Sequence, residues 1–261
     1  MQPQTRSMKI YSYFIRSAYN RNVVPRSRNP MPRLPALLLT AALALPAEAH
    51  DLWVVRQGPL HTLQYGHERS GHEGAKVLAY RPETVRQAQC FDGNGEQIQA
   101  EVGQAYPVTL KGECAASFFL TSSGYWSKTP YGTKNLPKTE AGTVLDSWLS
   151  VESVKRLDAW GQGLARPLTR QLEIVPLADP LRLKVGDKLR LRVTLDGRPV
   201  SGVTVAYFGQ PRGVSDADGR VNVRLQRPGF QLIQASLETP SNDGRADRLV
   251  QSTALQFELA P

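Results

Sequence analysis

From Asp51 onward, apolar and polar residues alternate in short runs broken by glycine and aspartate. "DLWVV" (51–55), "HTLQY" (61–65), "AKVLAY" (75–80), "ASFFLTSS" (116–123) and "LRLKV" (181–185) read as strands. So do "KLRLRVTL" (188–195), "VTVAYFG" (203–209), "VNVRLQ" (221–226), "FQLIQASL" (230–237) and "ALQFEL" (254–259). Period-two alternation with β-branched and aromatic residues marks strands with one buried face. Between them stand Asp92-Gly93-Asn94-Gly95, Asp196-Gly197, Asp218-Gly219, Pro228-Gly229 and Asp243-Gly244, residues that favour tight turns. This pattern predicts an all-β chain of antiparallel, sandwich-like architecture. Residues 144–160, "VLDSWLSVESVKRLDAW", fit neither the helical nor the strand period cleanly.

Two prolines interrupt the strand pattern in "EIVPLADPL" (173–181). They suggest a β-rich domain over residues 50–175, followed by an Ig-like or transthyretin-like sandwich over 176–261, of the kind also seen in carboxypeptidase-regulatory modules. The second part carries "DGRPVSGVTVAYFG…VSDADGRVNVRL", resembling sandwich modules of exported proteins, with Gly197, Pro199, Gly202, Val205, Asp216 and Gly219 at the pattern positions. "DADG" is a turn and not an EF-hand. Counted from Asp216, loop positions 5 and 12 hold Arg220 and Arg227, which cannot ligate calcium.

Residues 1–49 read differently. From Met31, Arg33 precedes an apolar run from Leu34 to Leu45, and then Ala47-Glu48-Ala49. This is the pattern of a secretory signal peptide cleaved after Ala49, which makes His50 the first mature residue and the protein periplasmic. Cleavage after Ala47 would leave His50 third. The apolar run is short for a membrane span. Residues 1–30 carry no pattern, and Met31 is the better initiator.

The leader also reshapes the charge. The full chain has a formal charge of +9, but residues 1–49 hold seven basic residues and one acid, leaving 25 bases and 22 acids beyond them. A net of about +3 without a basic, aromatic-rich patch argues against nucleic acid as a partner. Cys90 and Cys114 are the two cysteines, and in an oxidising compartment an even count favours a disulfide over metal ligation without C-x-x-C spacing. No G-x-S-x-G or H-E-x-x-H is present, so hydrolases are poorly supported.

All four histidines, His50, His61, His67 and His72, fall between positions 50 and 72. Imidazole is a ligand for borderline metals, and an N-terminal histidine adds its α-amino group as a chelating partner. Gly66, Gly71 and Gly74 suit a loop that gathers ligands. His50 and His67 rank first as metal ligands, with His61 and His72 next. Asp51 or Glu68 would orient a ring.

"AHDLWV", "LQYGHERSGHEG", "SSGYWSKTPYGTKNLPK" and the C-terminal module together resemble the NikM-like family of exported components of nickel and cobalt transport. The nearest type is the additional periplasmic component, NikK, of nickel energy-coupling-factor (ECF) transporters. The resemblance spans residues 49–259 and implies binding of Ni or Co, with Cu possible on the chemistry alone. It implies an inner-membrane nickel/cobalt transporter as partner, peripheral attachment to the membrane at most, and no catalysis. His50 takes the family's N-terminal histidine and His67 its glycine-histidine. Lys128, Thr129, Gly132 and Lys138 match a "K-T-x-x-G…P-K" segment. The integral-membrane members carry their histidine second from the N-terminus, whereas here it stands first. Two other readings compete: a histidine-brace copper oxidase acting on polysaccharide, with Trp53, Tyr125, Trp126 and Tyr131 as its aromatic surface, and an exported sandwich serving as an interaction module.

Overall fold

The structure is a computed structural model that describes residues 51–68 and 76–259. It is all-β. The chain opens with a hairpin of β1 (Asp51–Gln57) and β2 (Leu60–Gly66), then runs through β3 (Val85–Phe91), β4 (Gln97–Ile98), β5 (Glu101–Gly103) and β6 (Thr109–Lys111). Two long strands follow, β7 (Ala116–Thr129) and β9 (Asp146–Leu157), with the short β8 (Gly132–Lys134) between them. Next come β10 (Glu173–Pro176), β11 (Lys188–Leu195), β12 (Arg198–Pro199) and β13 (Thr204–Tyr207). β14 (Gln210–Val214), β15 (Arg220–Arg224), β16 (Gly229–Pro240) and β17 (Arg248–Leu259) complete the chain.

Three sheets are formed among the described residues. The largest has nine strands in the order β14-β13-β16-β17-β9-β7-β3-β4, with β8 also pairing β7. β1-β2-β6-β5 form a second sheet, and β10, β11, β12 and β15 a third, with β11 at its centre. The expected antiparallel pairing holds for the named strands except between β17 and β9, which run parallel from Arg248↔Trp148 to Phe257↔Leu157.

The large sheet is covered on both faces. Phe118, Leu157, Val205, Ile233, Leu255 and Phe257 pack with Ile174, Leu191, Val193 and Val223 of the third sheet. The alternate residues Phe119, Val154, Leu232 and Ala254 point the other way, against Leu52, Val54, Leu63 and Leu110 of the second sheet. This follows from strand geometry, because successive side chains leave opposite faces. It also explains residues 144–160: β9 is buried on both sides at its C-terminal end, so no polar face remains to show the period.

The described residues form one compact unit. The division expected at 175/176 falls inside β10, and strands from both sides of it share the nine-stranded sheet. "LRLKV" forms no strand, and "AKVLAY" contributes one isolated bridge, Val77 to Gly66. β3 has no counterpart in the sequence pattern. Its Arg86, Gln87 and Gln89 dilute the apolar signal, and it joins the sheet through backbone pairing with β7.

Cys90 and Cys114 form the expected disulfide, with Cα atoms 5.1 Å apart. Closing a loop of that length is worth about 3 kcal/mol in the chain-entropy description. The bridge fits an exported protein. Among the described residues no helix is long and apolar enough to cross a membrane.

Candidate functional site

The β1–β2 hairpin positions the two described histidines at its opposite ends. His61 lies near the turn, where it is fully buried, and its Nε2 donates to Asp158 Oδ2 at 3.1 Å. With Nε2 the donor, a neutral ring turns an acceptor Nδ1 inward, and that atom has no hydrogen-bond partner. Asp158 also accepts from Arg156 Nε at 2.7 Å, with Arg56 Nη1 3.8 Å away. Burial pushes the Asp158 carboxyl up, but the His61 hydrogen bond and the Arg156 charge outweigh it and hold it below the ordinary aspartate value.

His67 follows immediately after β2. Six residues of extended chain separate it from His61, roughly 20 Å. The structure therefore does not bring these two imidazoles to one ion, and His61 is occupied as a buried partner of Asp158. His50 and His72 lie outside the described residues.

What lies beside His67 is carboxylate. The hairpin register pairs Asp51 with Gly66, so the start of β1 sits across from the end of β2. Burial raises the Asp51 carboxyl above its ordinary value. The Gln234 Nε2 hydrogen bond at 2.7 Å opposes this, the Glu68 charge adds to it, and the Glu68 backbone N–H and His67 pull it down again. Asp51 thus senses the charges of Glu68 and His67. Lys76 Nζ lies 3.6 Å from Glu68, and Lys76 O accepts from His67 N at 2.8 Å. Gly66 is required here: its φ is 142°, and a Cβ would meet Lys76 O at 2.4 Å. Among the described residues, no three His, Cys, Asp or Glu side chains are grouped to hold a metal ion. A metal site at this end would need a further donor.

The "K-T-x-x-G…P-K" segment has a framework role. Thr129 Oγ1 donates to Gly132 O at 2.8 Å and accepts from Tyr131 N at 3.2 Å, closing the β7–β8 turn. Lys138 Nζ donates to Asp247 Oδ1 at 2.7 Å, tying the following loop to the start of β17. Lys128 is exposed on β7. Of the aromatics offered as a binding surface, Trp53 is buried and Tyr131 is 94% exposed at the hairpin tip. Tyr125 donates to Asp243, and Trp126 Nε1 donates to Ser123.

One feature had no sequence signal. Asp51 and Tyr65 wall a cavity of about 480 Å³ whose floor includes Glu152, Thr204, Ser236 and Ser252 from four strands. Nothing in the linear pattern links these positions, because pairing between distant strands makes the floor.

The comparison with known families settles membership. A family model described as a domain of unknown function, DUF4198, matches residues 47–239. The chain belongs to the DUF4198 family. Within this DUF4198 protein the match takes in the hairpin, both ends of the His61–Asp158 pair and all but the last residue of β16, and stops short of β17. No curated protein matches the sequence.

Proposed function

We propose that this DUF4198 protein is an exported metal-binding component of a nickel/cobalt uptake system, with its ion held where β1 begins and β2 ends. The observation that carries the reading is the Asp51↔Gly66 pairing, which places the Asp51 carboxyl within electrostatic reach of His67 and Glu68. Signal cleavage after Ala49 would supply the missing donors, because a peptide unit keeps the Cα of His50 within 3.8 Å of that of Asp51. The donor set is then an amine, one or two imidazoles and carboxylate oxygen, suited to a borderline divalent ion. The ion is cargo, passed to an inner-membrane transporter, and no catalysis is assigned. Because amine and imidazole must shed protons to bind, uptake should strengthen as pH rises through the α-amino range near 7.7.

Native mass spectrometry of protein recovered from the periplasm tests this directly, reporting the mature N-terminus and bound metal together. The expected species begins at His50 and takes up one Ni(II) or Co(II). His67→Ala should weaken uptake at least about tenfold, whereas His61→Ala should not alter the ligand set. A retained leader, or a mature chain that takes up neither ion, overturns the proposal. Turnover of a polysaccharide with copper and reductant would support the oxidase reading instead.

A further inference from the structure

The cavity beside the hairpin holds a carboxylate with an unmet need. Glu152 projects from β9 on the face that carries Val154, but beyond the cover that β1 and β2 provide. Its hydrogen bond is from Ser150 Oγ at a long 3.4 Å. Tyr65 stands close enough for the two groups to interact electrostatically. Among the described residues no lysine, arginine or histidine pairs with it. Burial raises its carboxyl above the ordinary glutamate value. A partly buried carboxylate without a counter-charge is costly, and a bound cation relieves that cost.

The surroundings describe the rest of the ligand. Strand registers align Glu152 with Ser252 and Ser252 with Ser236, so one carboxylate and two hydroxyls cross β9, β17 and β16 in a row. Thr204 of β13 extends the hydroxyl floor. Tyr65 and Leu52 on the hairpin wall offer an aromatic and an apolar surface, and an aromatic ring favours a cation nearby. A volume of about 480 Å³ lies within the range of small-molecule sites. A second hollow of about 210 Å³ shares Leu52, Tyr65 and Glu152, which puts the carboxylate at the junction of the two spaces.

We propose that this cavity binds a small hydroxylated organic ammonium ion, of the aminosugar or amino-alcohol kind, with its ammonium group against Glu152 and its hydroxyls on the Thr204–Ser236–Ser252 floor. An anion is excluded by the unpaired carboxylate. A bare divalent ion finds too few donors, since no group of three metal-ligating side chains is present among the described residues. The proposal differs from the metal reading in its anchor, Glu152 on β9, although Asp51 lines the cavity and belongs to the metal reading as well.

Titration calorimetry on the full exported protein, stripped of metal with chelator, tests it with glucosamine, ethanolamine and glucose as probes. Glucosamine should bind at least about tenfold more tightly than glucose, the scale of one charge-assisted hydrogen bond. Glu152→Gln should abolish that preference while leaving nickel uptake unchanged, so the two readings fail independently. Ser252→Val fills the floor with methyl groups and serves as the second variant, in which glucosamine binding should be lost. Failure of both amines to bind the wild-type protein overturns the proposal. So does glucosamine affinity unchanged in either variant, or equal affinity for glucose.

Discussion

Gln256 grips the backbone of Val54 with both ends of its amide. Its Oε1 accepts from Val54 N at 2.8 Å, and its Nε2 donates to Val54 O at 2.7 Å. Val54 lies in β1 and Gln256 in β17, so one side chain acts as a short stretch of strand that fastens the hairpin to the large sheet. Both residues are fully buried. In Gln256→Ala the Val54 carbonyl keeps Arg156 Nη1 at 3.1 Å, but its N–H is left without a partner. The expected loss is about 2 kcal/mol, the usual cost of a stranded buried donor. Denaturant unfolding measures it, and faster hydrogen exchange at the Val54 amide localises it.

His61 and Asp158 give the hairpin an acid-sensitive anchor. The Asp158 carboxyl is held below 3.8, its reference value, by hydrogen bonds and charge that outweigh burial. A lowered folded value means that the stabilisation is complete above the unfolded value and drains away as pH falls through the folded one. Asp158→Asn should therefore be less stable than wild type at pH 7, with the gap closing as the pH is taken well below 3.8. Parallel urea titrations at neutral and acid pH show this. A gap that does not change with pH would place the cost in packing alone.

Lys155 and Glu173 form a further buried ion pair, Nζ to Oε1 at 2.5 Å, on the opposite face of the large sheet. The partners are unequal. Glu173 also accepts from Leu168 N, Thr169 N and Thr169 Oγ1, whereas the Lys155 ammonium pairs with Glu173 alone among the described residues. Glu173→Leu should cost roughly 3–5 kcal/mol by stranding a buried charge. Lys155→Met should cost markedly less, and the double variant should regain part of the loss. A double-mutant cycle measured by calorimetric unfolding gives all three values.

The legibility of this fold tracks how many faces each strand buries. β2, β11 and β15 alternate and were readable, β1 was readable as an apolar run buried from Leu52 to Val54, and so were the turns at Asp196-Gly197 and Asp218-Gly219, whose glycines take the φ > 0 that such turns need. β9 was not, because Ser153 to Leu157 are all buried and alternation disappears. His61 was visible as a residue on the face of Leu63, yet its partner Asp158 lies 97 positions away and nothing local announces it. The same holds for Glu152 and its row of serines. Local pattern shows which face a side chain takes, and long-range pairing decides what it meets there.

β17 lies between β16 and β9 inside the large sheet, and both of its neighbours precede it in the sequence. Without residues 248–259, β9 and β16 would present two bare edges, each able to pair with another copy of the chain. The segment that matches the family model ends at residue 239, so that segment made alone would keep those edges permanently open. β17 thus closes the middle of the sheet, and a segment that lacks it would need another strand or a shielding partner to cover the two edges.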